Sequence, residues 1–305
     1  MVGARVRRQQ VAYAQSRGLS SRRACALLSV ARSTLGYSSR LLARDAAVLA
    51  SMRTLAAQYP RYGYRTIRIF LERQGHVLGT DRMYRLWRQA QLQVPRKRPR
   101  RRVAASRPRP LPPTAINHVW AYDFVFDTCA DGRSLKCLTI IDEFTRECLA
   151  IDVAGGIRSG RVIEVLTQLV SLHGAPRYLR SDNGPEFVAR AILRWLQTAQ
   201  IETAFIDPGK PWQNGTDESF NGKLRDQHLS LQWFRNRAEA KVSIEEWRRH
   251  YNEVRPHSSL AYLTPAAFKA KHLSDVDGGR SPAEPARADR HNEEFLTGPV
   301  SAVLQ

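Results

Sequence analysis

A chain of 305 residues, 43% apolar and 25% charged, can bury the cores of roughly two domains with appendages. Its 48 Lys and Arg against 28 Asp and Glu leave a net charge of +20, and the excess sits at one end. Met1–Pro113 holds 25 basic and 3 acidic residues, a net of +22, while the remainder holds 23 and 25, a net of −2. A basic arm joined to a near-neutral body points to a polyanionic partner, nucleic acid first. No apolar run approaches the ~18 residues of a membrane span. Arg5, Arg7 and Arg8 are not followed by an apolar signal core, so the expected location is the cytoplasm, at the nucleoid. Cys25, Cys129, Cys137 and Cys148 lack CxxC spacing and read as core residues or exposed thiols rather than a disulfide frame or zinc site.

In chain order, residues 1–44 read as a helix-turn-helix-like segment. Val11–Arg17 closes at Gly18, and Ser20 or Ser21 caps a helix to Leu28. After a turn at Ser29–Ala31, Arg32, Ser33 and Thr34 open another helix, the place where such a motif meets phosphates and base edges. Residues 45–94 form a second helical DNA-binding unit. Asp45 caps a helix to Gln58, Tyr59–Tyr64 breaks it, Arg65–Arg73 resumes it until Gly75, and Thr80 caps a third helix to Ala90. Tyr59, Tyr62, Tyr64 and Trp87 are expected in a small core. Residues 95–114 combine Pro with dense Arg, including Arg98, Arg100 and Arg101, and are expected to be a tether along DNA phosphates.

The body, residues 115–272, alternates apolar and polar stretches. His118–Asp127, Leu135–Asp142 and Cys148–Val153 predict an antiparallel meander with a turn at Asp131-Gly132. Ser159–His173 predicts a helix, Arg177–Leu179 a strand, Pro185–Ala199 a helix, Glu202–Phe205 a strand, and Trp212 onward a long helix. The order βββαβαβα fits a mixed sheet flanked by helices. Ala238–Asn252 predicts another helix, and His257 is expected to cap or to bond internally. Residues 273–305 read as a disordered tail.

Three acids stand out. Asp123 interrupts an apolar strand, where a carboxylate is costly unless paired or bound to a cation. Asp182 follows a strand and precedes Asn183-Gly184, at the end where such folds expose functional groups. Glu218 lies on the long helix, sharing a stripe with Asn214 and Arg225, with Asn221 and Gly222 beside it. Asp127, Asp142, Glu143 and Asp152 are also at hand, so a count of carboxylates decides nothing.

Context decides. Thirty-five residues separate Asp182 from Glu218. That interval, with WAYDF (Trp120–Phe124), DGRSLKCLTIIDEFTRE (Asp131–Glu147), SDNGPEF (Ser181–Phe187), PWQNG (Pro211–Gly215), ESFNGKLRD (Glu218–Asp226) and YNEVRPHSSLAYLTP (Tyr251–Pro265), resembles the DDE transposases of bacterial insertion sequences, in their second reading frame, and retroviral integrases. The resemblance spans most of residues 117–268, and the helical arm is similar to that family's DNA-binding part. It implies an RNase-H-like integrase catalytic core with Asp123, Asp182 and Glu218 as catalytic acids and ligands of two Mg²⁺ or Mn²⁺ ions. Two such ions clamp the attacking and leaving oxygens of a phosphodiester displacement.

Within that reading Arg225, two turns after Glu218 on its stripe, is expected at a DNA phosphate, Asn183 and Asn214 beside the catalytic acids or on DNA, and Trp212 either at the DNA end or in the core. The implied partners are double-stranded DNA (terminal repeats and target), further copies of the chain, and a first-reading-frame protein or fusion. Gln227, His228 and Ser230 depart from the family's usual run after ESFNGKLRD. Two other functions remain open at this stage. One is a catalytically silent DNA-binding repressor or accessory factor, the other a simple nuclease that cuts without joining.

Overall fold

The computed structural model describes residues 3–36, 41–95, 111–181, 189–204 and 214–277. The chain divides into two compact units, Met1–Arg98 and Pro99–Gln305.

In the first unit, α1 (Ala4–Ser16) and α2 (Ser21–Leu27) close a small core of Val11, Ala24 and Cys25. Ser20 caps α2 by accepting from the Arg23 N–H, as its hydroxyl predicts. The helix expected from Arg32 is a single 3₁₀ turn, Arg32–Thr34. The Thr34 hydroxyl donates back to the Ala31 carbonyl, the local bond that makes Ser and Thr favour turns.

Three longer helices follow: α3 (Leu41–Gln58), α4 (Tyr64–Arg73) and α5 (Thr80–Gln89). Tyr59, Tyr62 and Phe70 stack, and Met52, Ile67, Leu71, Met83, Leu86 and Trp87 complete the core, as the apolar spacing requires. Gly75, at φ +87°, ends α4 where the sequence placed its stop. Two expected caps are corrected. Asp45 lies inside α3, where its buried carboxylate serves two arginines of α5, and Thr80 is the first helical residue of α5 after Gly79.

The second unit is a five-stranded sheet in the order β3-β2-β1-β4-β5. Its strands are β1 (Val119–Thr128), β2 (Ser134–Asp142), β3 (Cys148–Ala154), β4 (Tyr178–Arg180) and β5 (Glu202–Thr203). The first three form the expected meander, and β4 and β5 add parallel to β1 and to each other. A mixed sheet in this order, with helices on both faces, is the RNase-H-like arrangement.

Strand alternation divides the core. Trp120, Tyr122, Phe124, Leu138 and Ile140 face α6 (Ser159–His173) and α7 (Arg190–Thr198). Val125, Cys137 and Ile141 face α8 (Gly215–Gln227) and α9 (Arg237–Glu253) through Phe220, Leu224, Ile244, Trp247 and Tyr251. The strand expected at Glu202–Phe205 stops at Thr203 within the described residues, and α10 (Pro265–Asp277) runs five residues past the expected end of the body. The four cysteines are free and buried, and burial pushes the Cys137 thiol up to about 12, so that it stays protonated. Among the described residues no helix is long and apolar enough to cross a membrane.

Among the described residues of this unit two histidines are buried. His228 sits between Phe234 and Trp247, with Nε2 3.3 Å from the Ser243 hydroxyl. His257 stands edge-on to Tyr251, with Nε2 3.2 Å from the Tyr251 carbonyl. Burial lowers His228 to about 4 and His257 to about 3, so both rings fold neutral. Unfolded, each protonates at about 6.5. Their stabilisation is therefore complete above that pH and is lost as pH falls toward the folded values. Each ring contributes a slope of about 1.4 kcal/mol per pH unit within its window. Urea titrations between pH 6 and 5 should show stability falling with acidity, and His228→Gln should reduce that slope by about 1 kcal/mol per pH unit. A slope unchanged in the variant would mean that the ring already protonates in the fold.

Candidate catalytic site

The site begins with one residue on the second face of β1. Tyr122 and Phe124 point into the α6–α7 core, so Asp123 points to the side of α8. There its Oδ2 accepts from the Asn221 side-chain amide at 2.8 Å, and its Oδ1 accepts from the Phe124 backbone N–H at 2.7 Å. Thr139, directly opposite on β2, lies with its hydroxyl 3.1 Å from the Asp123 carbonyl and 3.2 Å from the Asn221 Oδ1. The half-exposed carboxylate is therefore aimed by two fully folded elements, a β-ladder and a helix. Sequence reading noted Asn221 only as a neighbour of the stripe and did not name Thr139. The available signal was Thr139 as the one uncharged polar residue inside Leu135–Ile141.

Asn221 also fixes the roll of α8. Glu218, one turn earlier, is exposed, while the adjacent Asp217 is fully buried. Beside Asp217, Thr216 accepts from Arg146 at 2.7 Å. Of the two consecutive acids, Glu218 is thus the one presented to solvent. The stripe drawn through Asn214, Glu218 and Arg225 is not uniform: Glu218 and Arg225 are exposed, but Asn214 is 5% exposed at the start of α8. The Lys223 amine folds back to Ser219 on the same helix.

Four other carboxylates are engaged elsewhere. Asp142 accepts from the backbone of Asn117, Phe144 and Thr145 and holds the β2–β3 turn; burial raises its pKa against those bonds. Asp152 takes Arg161 in a two-pronged pair, at 2.8 and 3.1 Å. Asp127 accepts from its neighbour Thr128. Glu143, fully buried, pairs with the equally buried Arg180 at 3.5 Å.

Arg180 ends β4. In the parallel ladder Val119, Trp120 and Ala121 face Tyr178, Leu179 and Arg180. Asp123 stands two residues after Ala121, and Asp182 two residues after Arg180. Asp182, Asn183, Trp212, Arg98, Arg100 and Arg101 lie outside the described residues. Among the described residues no group of three His, Cys, Asp or Glu side chains is assembled for a metal. In the first unit Arg32, Ser33 and Thr34 are exposed, and Ser33 and Thr34 line a groove of about 470 Å³ with Arg7 and Arg8.

Comparison with known proteins accounts for both units. Integrase core domain models match residues 113–211 and 199–265, and an HTH-like domain model matches residues 43–100, which places it on α3–α5. The chain is 41% identical over 259 residues to the insertion element IS407 uncharacterized 31.7 kDa protein of Burkholderia multivorans, covering 85% of this chain and 94% of that one. It is 39% identical over 267 residues to the insertion element IS476 uncharacterized 39.2 kDa protein of Xanthomonas euvesicatoria, covering 88% and 77%. Identity to the transposase InsD for insertion element IS2D of Escherichia coli is 28% over 239 residues, covering 73% and 78%. Among solved structures, the HTLV-2 integrase catalytic core domain with magnesium aligns at 17% identity over 52% of this chain and 99% of that one, with a TM-score of 0.41. A simian T-cell lymphotropic virus intasome chain aligns at 15% over 80% of each, with a TM-score of 0.46. With relatives up to 41% identical, covered over 77% to 94% of their length, the chain belongs to the insertion-element transposases of the second-reading-frame type, an HTH-like unit ahead of an integrase core.

Proposed function

We propose that this transposase cuts DNA strands at the ends of an insertion element and joins the freed 3′-hydroxyls to target DNA, using Asp123, Asp182 and Glu218 with divalent metal. The observation that carries the reading is the bond from Asn221 to Asp123, which docks the Glu218-bearing helix on the Asp123 strand. The donors fit a hard cation: they are carboxylate oxygens, and the buried cysteines and histidines lie in the packed cores or their turns. Mg²⁺ or Mn²⁺ bound there would supply Lewis-acid stabilisation of charge on the phosphate oxygens. The chain's own part is positional. Asn221 and the Phe124 N–H fix both oxygens of Asp123, and Arg225, exposed two turns after Glu218, would meet a DNA phosphate.

Arg32, Ser33, Thr34 and the linker arginines would add backbone contacts. Further copies of the chain and the first-reading-frame protein are the proposed protein partners, and the bacterial cytoplasm is the proposed site of action. The test uses a labelled duplex carrying the terminal repeat that flanks the reading frame, with the chain alone and with its first-frame partner. Nicking and joined products should appear with Mg²⁺ or Mn²⁺, vanish with chelator, and vanish in Asp182→Asn. Firm DNA binding without metal-dependent chemistry, even with the partner present, would make the chain a silent binding protein. Cutting of any duplex without joining would make it a simple nuclease.

A further inference from the structure

The first unit carries a polar surface that the catalytic reading leaves unused. On α5 the apolar stripe Met83, Leu86 and Trp87 is buried, and the opposite stripe presents Tyr84, Arg85, Arg88 and Gln89 to solvent. This face, with Gln91 and Gln93 beyond the helix, lines an open groove of about 790 Å³. The only acid on it, Asp81, stands in the first turn of the helix, where a negative charge favours the dipole.

Each of the first three side chains is braced. Tyr84 leans on Tyr64 with ring centroids 5.2 Å apart, and the Arg88 guanidinium lies 6.0 Å from the Tyr84 ring. Arg85 is bonded at 3.1 Å to Asp45, whose other oxygen takes Arg82 at 2.5 and 3.2 Å. Asp45 is 2% exposed on α3, and the Arg82 bond holds its carboxyl below the usual range against the opposing effect of burial. A buried carboxylate spent on two arginines of one exposed helix looks costly unless the position of those arginines matters.

Side-chain chemistry identifies the ligand. Arg is suited to bidentate bonds with guanine, and Gln to bidentate bonds with adenine, in the major groove of DNA. A helix after a turn, packed on two others, is the element that enters that groove. On α4, by contrast, Arg65 and Arg73 lie against their own neighbours Tyr64 and Phe70, and Arg68 reaches the Leu78 carbonyl.

We infer that α5 is the base-reading helix for the element's ends, with Arg85, Arg88 and Gln89 as specificity-determining residues and Asp45 as the positioning residue that holds Arg85 on that face. The inference rests on the transposase reading for its DNA partner and goes beyond it in saying which surface selects the sequence. Bracing reduces the side-chain freedom lost on binding, which is how a short helix gains discrimination.

The experiment is fluorescence anisotropy of the full chain on two duplexes, one with the flanking terminal repeat and one scrambled at equal composition, at several salt concentrations. Arg88→Ala and Gln89→Ala should each lower the repeat-to-scrambled affinity ratio by about tenfold or more while leaving scrambled binding little changed. Asp45→Asn should lower the ratio as Arg85→Ala does. The double variant should fall no further, a non-additivity that simple destabilisation would not produce. Far-UV circular dichroism confirms that each variant keeps its helices, and Asp45→Glu, which retains the charge, should restore part of the ratio.

An unchanged ratio in Arg88→Ala and Gln89→Ala, with intact end cleavage, overturns this inference and leaves the transposase reading standing. An equal loss on both duplexes marks α5 as a phosphate contact and also overturns it. A wild-type chain that binds neither duplex, even with its first-frame partner present, overturns both.

Discussion

Asparagine in place of Asp123 is expected to lower strand cleavage and joining by about a thousandfold or more, with DNA affinity little changed. The side chain keeps its size, its one oxygen can still accept from the Phe124 N–H, and its new amide can donate to the Asn221 side-chain oxygen once that amide turns over, so β1 and the docking of α8 should persist. What disappears is a negative charge at a site read as holding divalent metal, where a bound ion contributes several kcal/mol to transition-state stabilisation. The same geometry sets a graded expectation for the residue behind it. Asn221→Ala removes the 2.8 Å bond that fixes Asp123 Oδ2 but no proposed metal ligand. Changes of this kind typically cost about 10- to 100-fold in activity or metal affinity. Single-turnover cleavage over a range of Mn²⁺ concentrations separates the two: Asn221→Ala should need more metal for half-maximal rate, and Asp123→Asn should stay inactive at any concentration. Wild-type kinetics in Asp123→Asn would remove that residue from the catalytic set.

The order of this expectation matches what the sequence exposed and what it did not. Asp123 was legible because an acid inside an apolar strand contradicts its surroundings, and the strands were legible as apolar stretches between polar ones, which the sheet then pairs. Asn221 and Thr139 were not, because their meaning comes from a pairing across 82 positions between a strand and a helix, which no local pattern carries. Asp45 shows the same limit in the first unit. Locally, an Asp before an Ala-rich run reads as a helix cap. Its actual partners, Arg82 and Arg85, come from a helix some forty residues on, and α3 simply continues through it. The turn at Arg32–Thr34 departs from expectation for another reason: the Thr34 hydroxyl bonds the Ala31 carbonyl, and three residues of 3₁₀ helix stand where a longer helix is expected.

Breaking the pair of Arg180 and Glu143 should have the largest effect on stability. The two side chains are 2% and 0% exposed, and the guanidinium lies 3.5 Å from the carboxylate while donating to the Leu111 carbonyl at 2.8 Å. Glu143→Gln leaves the arginine buried opposite a neutral amide, and Arg180→Met leaves the carboxylate; each should cost about 3 to 5 kcal/mol in denaturant unfolding. Replacing both, as Glu143→Leu with Arg180→Met, exchanges two desolvated charges for apolar volume and should recover most of that loss. Leu111 would still lack its donor, so recovery should stop short by about 1 kcal/mol. The double variant then separates folding from function. Arg180 is the last residue of β4, and Asp182 follows two residues later. If the ion pair serves to set the end of that strand for catalysis, the double variant should regain stability yet remain slow in strand transfer with normal affinity for end DNA. Full recovery of both stability and rate would reduce the pair to a packing element that any well-shaped apolar substitute replaces.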